Sequence, residues 1–253
     1  MTPSPSAWMV RPNPKAQATS RLFCFPYAGA GASVFFPWAK ALAPSGMEVC
    51  IVQLPGRENR IREEPIVSFS SLMGMLTQDP QPFLQIPFYF MGYSMGSLVA
   101  FELCRALRRK HWPPPQHIFM AASEAPQLSR VEERLHVLPD SEFIEAVGRR
   151  YHGVAQNLLK HPELLELVLP VLKADFELLE NYEYQFEAPL ECPLTVFGGD
   201  KDESVGLPLL ESWRQQTDGP FSIKIFHGDH FFLNTARAEI LETILLRIQA
   251  HPV

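Results

Sequence analysis

The sequence predicts an α/β fold: a mainly parallel central sheet with helices on both faces and an inserted helical segment. Three observations carry this. Short apolar runs alternate along the chain with amphipathic runs of helical period, the pattern of a sheet built from strand–helix units. The pentapeptide Gly92-Tyr93-Ser94-Met95-Gly96 lies between an apolar aromatic run and a helical one, so a strand, a sharp turn and a helix meet at one serine. The alternation then fails from about Pro126 to Ala188, where the pattern is helical almost throughout.

Residues 1 to 19 are dominated by Pro, Ser and Asn and read as a flexible arm. Met1 to Gln17 contain no apolar core of the kind a signal peptide or membrane anchor needs. Strand-like runs follow at Arg21–Tyr27, Val49–Leu54, Phe88–Met91, His117–Ala122, Leu194–Gly198 and Ser222–Phe226. Helical patterns lie between them at Phe35–Ala43, Ser97–Lys110, Leu207–Gln216 and Ala238–Ala250. The helix after Ser94 is stopped by Pro113-Pro114-Pro115, and its last turn carries Arg108, Arg109 and Lys110, charges that suit a helix C-terminus.

Within the interruption, helical patterns cover Asp140–Gly148, Gly153–Lys160, Glu163–Leu169 and Val171–Tyr184. Leu158, Leu159, Leu164, Leu165, Leu167, Val168 and Leu169 fall close together. This segment reads either as ordinary packing helices or as a lid that offers an apolar wall to a substrate. The expected organisation is an arm at 1–19, a core formed by 20–125 and 189–253, and a helical insertion at 126–188.

A chain of 253 residues fits one α/β domain with an insertion, or two small domains. With 46% hydrophobic and 20% charged residues it has the makings of a sizeable core. The net charge of −6 argues against a nucleic-acid partner. Cys24, Cys50, Cys104 and Cys192 show no C-x-x-C spacing, which fits buried reduced thiols in a cytoplasmic protein better than a disulfide framework or a zinc site. No apolar run is long enough to span a bilayer, so no membrane association is expected.

The G-x-S-x-G turn proposes acyl transfer through a covalent serine ester. A serine hydroxyl is a weak nucleophile and needs a base, and the base needs an orienting carboxylate. In this architecture the partners follow in the order Asp or Glu, then His. Leu194–Phe197 run into Gly198-Gly199-Asp200-Lys201-Asp202, and Ile223–Phe226 run into His227-Gly228-Asp229-His230. Two aspartates and two histidines thus follow successive strand ends, where α/β sites lie. His230 is favoured over His227 because it lies past the turn and opens the next apolar segment. The residues alone leave Asp200 and Asp202 open. An oxyanion hole needs two N–H donors: one from Met95, next after the serine, the other from the small, Gly-rich turn Phe25–Ala32. That turn lacks the lysine and the spacing of a phosphate loop.

Six runs then resemble one family. They are Cys24-Phe25-Pro26-Tyr27-Ala28-Gly29, Gln53-Leu54-Pro55-Gly56-Arg57-Glu58-Asn59-Arg60, the Ser94 pentapeptide, Leu172-Lys173-Ala174-Asp175-Phe176 with Tyr182 and Tyr184, Phe197–Asp202, and Gly228-Asp229-His230-Phe231-Phe232-Leu233. From about Arg21 to the C-terminus the chain resembles the type II thioesterases, the discrete editing enzymes of polyketide and nonribosomal peptide pathways. Their animal relative is the fatty-acid chain-terminating thioesterase. The resemblance implies an α/β-hydrolase fold, Ser94 as nucleophile, His230 as base and Asp202 as acid. It also implies oxyanion-hole N–H groups from Ala28 and Met95, and a mobile lid at 126–188. It implies no cofactor and no metal, because the substrate carries phosphopantetheine on a carrier protein. A monomer is expected.

The chain departs from the family at Tyr93, where histidine is usual, and at Lys173, where arginine is common; little effect on the triad is expected from Tyr93. A product-releasing thioesterase and a general carboxylesterase or lipase are the alternative activities. Arg57, Arg60 and Arg62, or Arg105, Arg108 and Arg109, read either as solvated surface or as a face for an acidic carrier.

Overall fold

The computed structural model describes residues 8–128, 133–151 and 162–250. Among them, seven strands form one sheet: β1 (Met9–Val10), β2 (Ser20–Phe25), β3 (Met47–Val52), β4 (Phe88–Tyr93), β5 (Ile118–Ala121), β6 (Leu194–Gly199) and β7 (Phe221–Phe226), in the order β1-β3-β2-β4-β5-β6-β7. Every neighbouring pair is parallel except β1 with β3. The chain steps from β2 outward to β3, then crosses back to place β4 on the other side of β2. The carboxyl ends of β2 and β4 therefore flank a topological switch point, where a sheet of this kind opens a crevice.

Alternate residues along the strands feed two cores. Phe23, Phe25, Phe88 and Phe90 point to one face, under α2 (Phe69–Leu76), α3 (Gln81–Leu84) and α4 (Met95–Arg109). Leu22, Cys24, Tyr89 and Met91 point to the other, under α1 (Phe36–Ala41) and the C-terminal helix (Arg237–Ala250). Both faces of the sheet are covered, which is why its strands read as continuous apolar runs.

The interruption contains α5 (Asp140–Arg150) and α6 (Pro162–Glu180). They pack through a third cluster that includes Leu135, Phe143, Val147, Leu169, Leu172 and Phe176. The helix expected at Gly153–Lys160 lies outside the described residues. The two helices expected on either side of Pro170 are one, with the proline inside it. Proline in a helix interior costs about 3 kcal/mol. The burial of Leu169, Val171 and Leu172 around it is of comparable worth, at roughly 1.5–3 kcal/mol for each aliphatic side chain.

After β6 the chain forms α7 (Leu207–Glu211), and after β7 come α8 (Phe232–Thr235) and α9 (Arg237–Ala250). Part of the amino-terminal arm is tied to the sheet. Met9 and Val10 pair with Val52 and Ile51, and Trp8 is buried with the Arg60 guanidinium 4.2 Å above its ring. Among the described residues no helix is long and apolar enough to cross a membrane.

Candidate active site

Ser94 joins β4 to α4 with φ 52° and ψ −117°, a backbone state that costs an ordinary residue about 1–3 kcal/mol. Tight packing on every side holds it there. Ser94 N donates to Ala121 O at 2.8 Å, and Ser97 N donates to Ser94 O at 2.9 Å. Gly96 is required by proximity: a Cβ there would lie 2.0 Å from the Phe25 carbonyl oxygen. The first turn of α4 therefore rests directly on the end of β2, beside the Gly-rich turn. Gly92 meets the same constraint, with Ser97 Cα 2.4 Å from where its Cβ would be.

The structure brings Ser94, His230 and Asp202 together. His230 Nε2 is 3.1 Å from Ser94 Oγ, and His230 Nδ1 is 2.8 Å from Asp202 Oδ2. Asp202 is an acceptor, so Nδ1 carries the proton and Nε2 is left to accept from the serine. The other candidates form a pair of their own. Asp200 Oδ2 lies 2.9 Å from His227 Nδ1, and its Oδ1 accepts Gly228 N at 2.9 Å, on the exposed rim of the same two turns. The carboxylate facing inward from the turn after β6 is thus Asp202, a choice set by how two loops meet rather than by any local pattern.

Asp202 has a partner that sequence reasoning missed. Ser204 Oγ donates to Asp202 Oδ1 at 2.6 Å and lies 3.1 Å from His230 Nδ1. Ser204 N and Val205 N donate to the same oxygen at 2.9 and 3.2 Å. Burial pushes the Asp202 carboxyl up, but the hydrogen bond and charge of His230 and the bonds from Ser204 outweigh it and hold the group below the usual carboxylate range. Tyr93 also reaches the turn that carries His230: its buried hydroxyl donates to the His230 carbonyl at 2.7 Å.

Two cavities meet at Ser94. One, about 80 Å³, is the more polar and is bordered by Met95, Glu124, Arg150, Glu180 and Ser204. The other, about 70 Å³, is apolar and is bordered by Tyr27, Ala28, Val147, Leu172 and Phe231. Both share Tyr151, Phe176, Leu179 and His230, so α5 and α6 supply walls directly over the serine. Tyr151 covers the His230 ring at 4.8 Å between centroids. Met95 lines the first of these cavities and Ala28 the second, each together with Ser94.

Of the two arginine clusters, Arg62 and Arg109 are exposed and the other four arginines are buried or partly buried. Arg57 and Arg60 are 5% and 3% exposed and Arg105 is 2% exposed, because each guanidinium is turned inward onto carbonyls and carboxylates. Arg108 and Arg109 are both paired with Glu187. Lys173 donates to Leu138 O and Asp140 Oδ1, both at 2.7 Å, tying α6 to the start of α5.

Residues 20–248 match the Thioesterase domain family. The gramicidin S biosynthesis protein GrsT of Aneurinibacillus migulanus is 42% identical over 93% of this chain and 91% of its own length. The thioesterase PikA5 of Streptomyces venezuelae is 35% identical over 94% of this chain and 84% of its own. The solved structure of the type II thioesterase BorB from the borrelidin biosynthetic cluster superimposes with a TM-score of 0.84 at 31% identity, covering 94% of this chain and 96% of BorB. With its mostly parallel sheet, its strained serine turn and this match over nearly its whole length, the chain belongs to the thioesterase domain family and has the α/β-hydrolase fold.

Proposed function

We propose that the protein hydrolyses acyl thioesters on the phosphopantetheine arm of carrier proteins, removing aberrant or stalled acyl groups from a polyketide or nonribosomal peptide synthase. The observation that carries this reading is the Ser94–His230–Asp202 chain of contacts at 3.1 and 2.8 Å, at the meeting point of two cavities, in a member of the thioesterase family. Relatives named for gramicidin S and borrelidin biosynthesis support the carrier-bound substrate.

In this mechanism His230 Nε2 takes the Ser94 proton as Oγ attacks the thioester carbonyl. Asp202 keeps the imidazole in the tautomer that can accept it and stabilises the imidazolium that forms. The Ala28 and Met95 N–H groups receive the oxyanion. The C–S bond breaks, the thiolate takes the proton from His230, and an acyl-serine remains. Water, deprotonated by His230, then releases the acid and regenerates Ser94. Helices α5 and α6 act as a lid that shields these steps from bulk water. No cofactor, metal, nucleic acid or membrane takes part, and the protein acts as a cytoplasmic monomer.

Ser94→Ala tests this. Hydrolysis of acyl thioesters on a carrier protein should fall to the uncatalysed rate while the far-UV circular dichroism and melting temperature stay those of the wild type. Turnover retained in that variant overturns the assignment. A panel of carrier-bound acyl groups from acetyl to decanoyl then defines the preferred chain.

A further inference from the structure

The Leu54-Pro55-Gly56-Arg57-Glu58 run has no part in the chemistry above, yet its side chains hold the turn after β2. Gln53 Oε1 accepts Ala32 N at 2.6 Å, and Gln53 Nε2 donates to Arg57 O at 3.0 Å. Glu58 Oε1 accepts Ser33 N at 3.1 Å. Arg57 Nη1 donates to Ala30 O at 3.1 Å. The remaining anchor comes from far along the chain. Asp175, on α6, accepts Gly29 N through Oδ2 at 2.7 Å, across 146 residues. The same carboxylate takes two bonds from Arg57, Nη1 to Oδ2 at 2.8 Å and Nη2 to Oδ1 at 2.7 Å. Gly29 follows Ala28 directly, so this carboxylate fixes the peptide beside a proposed oxyanion donor.

The same face of α6 reaches the substrate space. Val168, Leu172, Asp175, Phe176 and Leu179 recur at helical spacing. Leu172 and Val168 press on Gly29, whose φ of +75° and lack of a Cβ allow the approach: a Cβ there would lie 2.9 Å from Leu172 Cδ1. Phe176 and Leu179 border Ser94 and His230. One helix therefore forms a wall of the acyl cavity and grips the turn that holds the oxyanion.

Asp175 and Arg57 are both buried, at 1% and 5% exposure. A buried ion pair is a poor stabiliser compared with apolar side chains of the same volume, because desolvation offsets most of the attraction. What the pair supplies here is geometry. We infer that Asp175 is a positioning residue through which α6 sets the oxyanion hole, so that seating of this helix over the acyl group and alignment of the Ala28 N–H are a single event. The inference rests on the proposed thioester hydrolysis.

The test uses the full chain with acetyl and hexanoyl N-acetylcysteamine thioesters as substrates and butylboronic acid as a probe. The probe forms a tetrahedral adduct on serine whose oxygen occupies the oxyanion position. In Asp175→Asn the amide can still accept Gly29 N but turns N–H groups toward Arg57. Misplacing a catalytic group by about 1 Å costs roughly a hundredfold in rate. We expect kcat to fall by about ten- to a hundredfold, KM to change less than threefold, boronate affinity to fall in parallel with kcat, and the acidic limb of the pH–rate profile to stay in place. Arg57→Met/Asp175→Leu removes both charges together and keeps the volume, so it guards against a variant that simply unfolds; it should lose kcat in the same way. A folded double variant with kcat within twofold of wild type overturns the inference.

A measurement on the wild type needs no variant. On addition of butylboronic acid, amide hydrogen exchange should slow together in residues 27–32 and in α6. Protection of the turn without protection of α6 overturns the coupling. Wild-type protein that hydrolyses neither thioester would instead refute the proposed function, which separates the two failures.

Discussion

The Tyr93 hydroxyl donates to the main-chain carbonyl of His230 at 2.7 Å and accepts the N–H of Leu233 at 3.1 Å. A residue next to Ser94 thereby holds both His230 and Leu233 in the turn after β7. The tyrosine leaves the Ser94–His230–Asp202 contacts in place and adds a hydroxyl that reaches the turn after β7. Tyr93→Phe leaves a buried carbonyl and a helix-start N–H without that partner, at a cost of about 1–3 kcal/mol. The expected result is a melting temperature several degrees lower and a kcat reduced by about an order of magnitude with KM nearly unchanged. Urea unfolding and steady-state kinetics on a small thioester check it. Unaltered kcat in a destabilised protein would mean that the turn holds His230 without help.

Asp202→Asn should lower kcat by about four orders of magnitude, since an amide can donate to Nδ1 and select the wrong tautomer. The same variant has a pH signature in stability. Burial alone would raise the Asp202 carboxyl, and the bonds from His230 and Ser204 depress it overall. A carboxyl depressed in the folded state stabilises fully above its unfolded pKa of about 3.9, and that stabilisation is lost as pH falls through the folded value. The stability gap between wild type and Asp202→Asn is therefore widest near neutrality and narrows as pH falls through the carboxylate range. Urea midpoints at pH 7 and at the lowest pH where both proteins fold measure it; a gap that widens on acidification contradicts the assigned direction.

All four cysteines are buried and free. Burial pushes Cys50 up to about 12, with the nearby Glu48 carboxylate adding to the shift, and burial pushes Cys192 up to about 12. Burial also raises Cys24 and Cys104 well above the ordinary thiol value. The thiolate is the reactive form, and at pH 8 a thiol of pKa 12 is ionised to only about one part in ten thousand. Iodoacetamide at pH 8 should leave the native protein unmodified by intact mass and add four groups after unfolding in urea. Labelling of the folded protein at any of them would show that it opens on the timescale of the reaction.

The parts of the site readable from sequence are those fixed by a few consecutive residues. Gly92 and Gly96 mark the serine turn because only glycine fits within 2.4 Å of Ser97 Cα and 2.0 Å of Phe25 O. His230 stands out because it follows a late strand and opens an apolar run. Asp202 could not be told from Asp200 by position, since both follow β6 and only the meeting of two turns separates their partners. Strand β1 has no signature in the sequence because two residues give no period, and their pairing depends on the edge that β3 presents. Arg57 and Arg60 looked like surface because arginines usually are; what buries them lies at Ala30, Asp175 and Gln53. Asp175 falls in one of the runs that carry the family resemblance, but neither its bonds to Gly29 and Arg57 nor the contact of Ser204 with His230 shows locally, because those contacts exist only once distant segments are folded together.

Leu179 borders both cavities beside Ser94, together with Phe176 and His230. The apolar cavity of about 70 Å³ is walled mainly by rings and branched side chains. Leu179→Ala should extend it along α6 while keeping every group of the triad and of the turn after β2. Because Leu179 is only partly buried, the cost should fall at or below the lower end of the 2–5 kcal/mol seen for a core leucine. The ratio of kcat/KM for decanoyl over acetyl N-acetylcysteamine thioester is expected to rise about tenfold, near the lower end of the 1–3 kcal/mol a hydrophobic pocket gains for a matched methylene or two. The gain should appear mainly in the long substrate, with acetyl turnover little changed. A ratio that stays constant would show that the decanoyl chain does not run along Leu179 in either of the two spaces that meet at the serine.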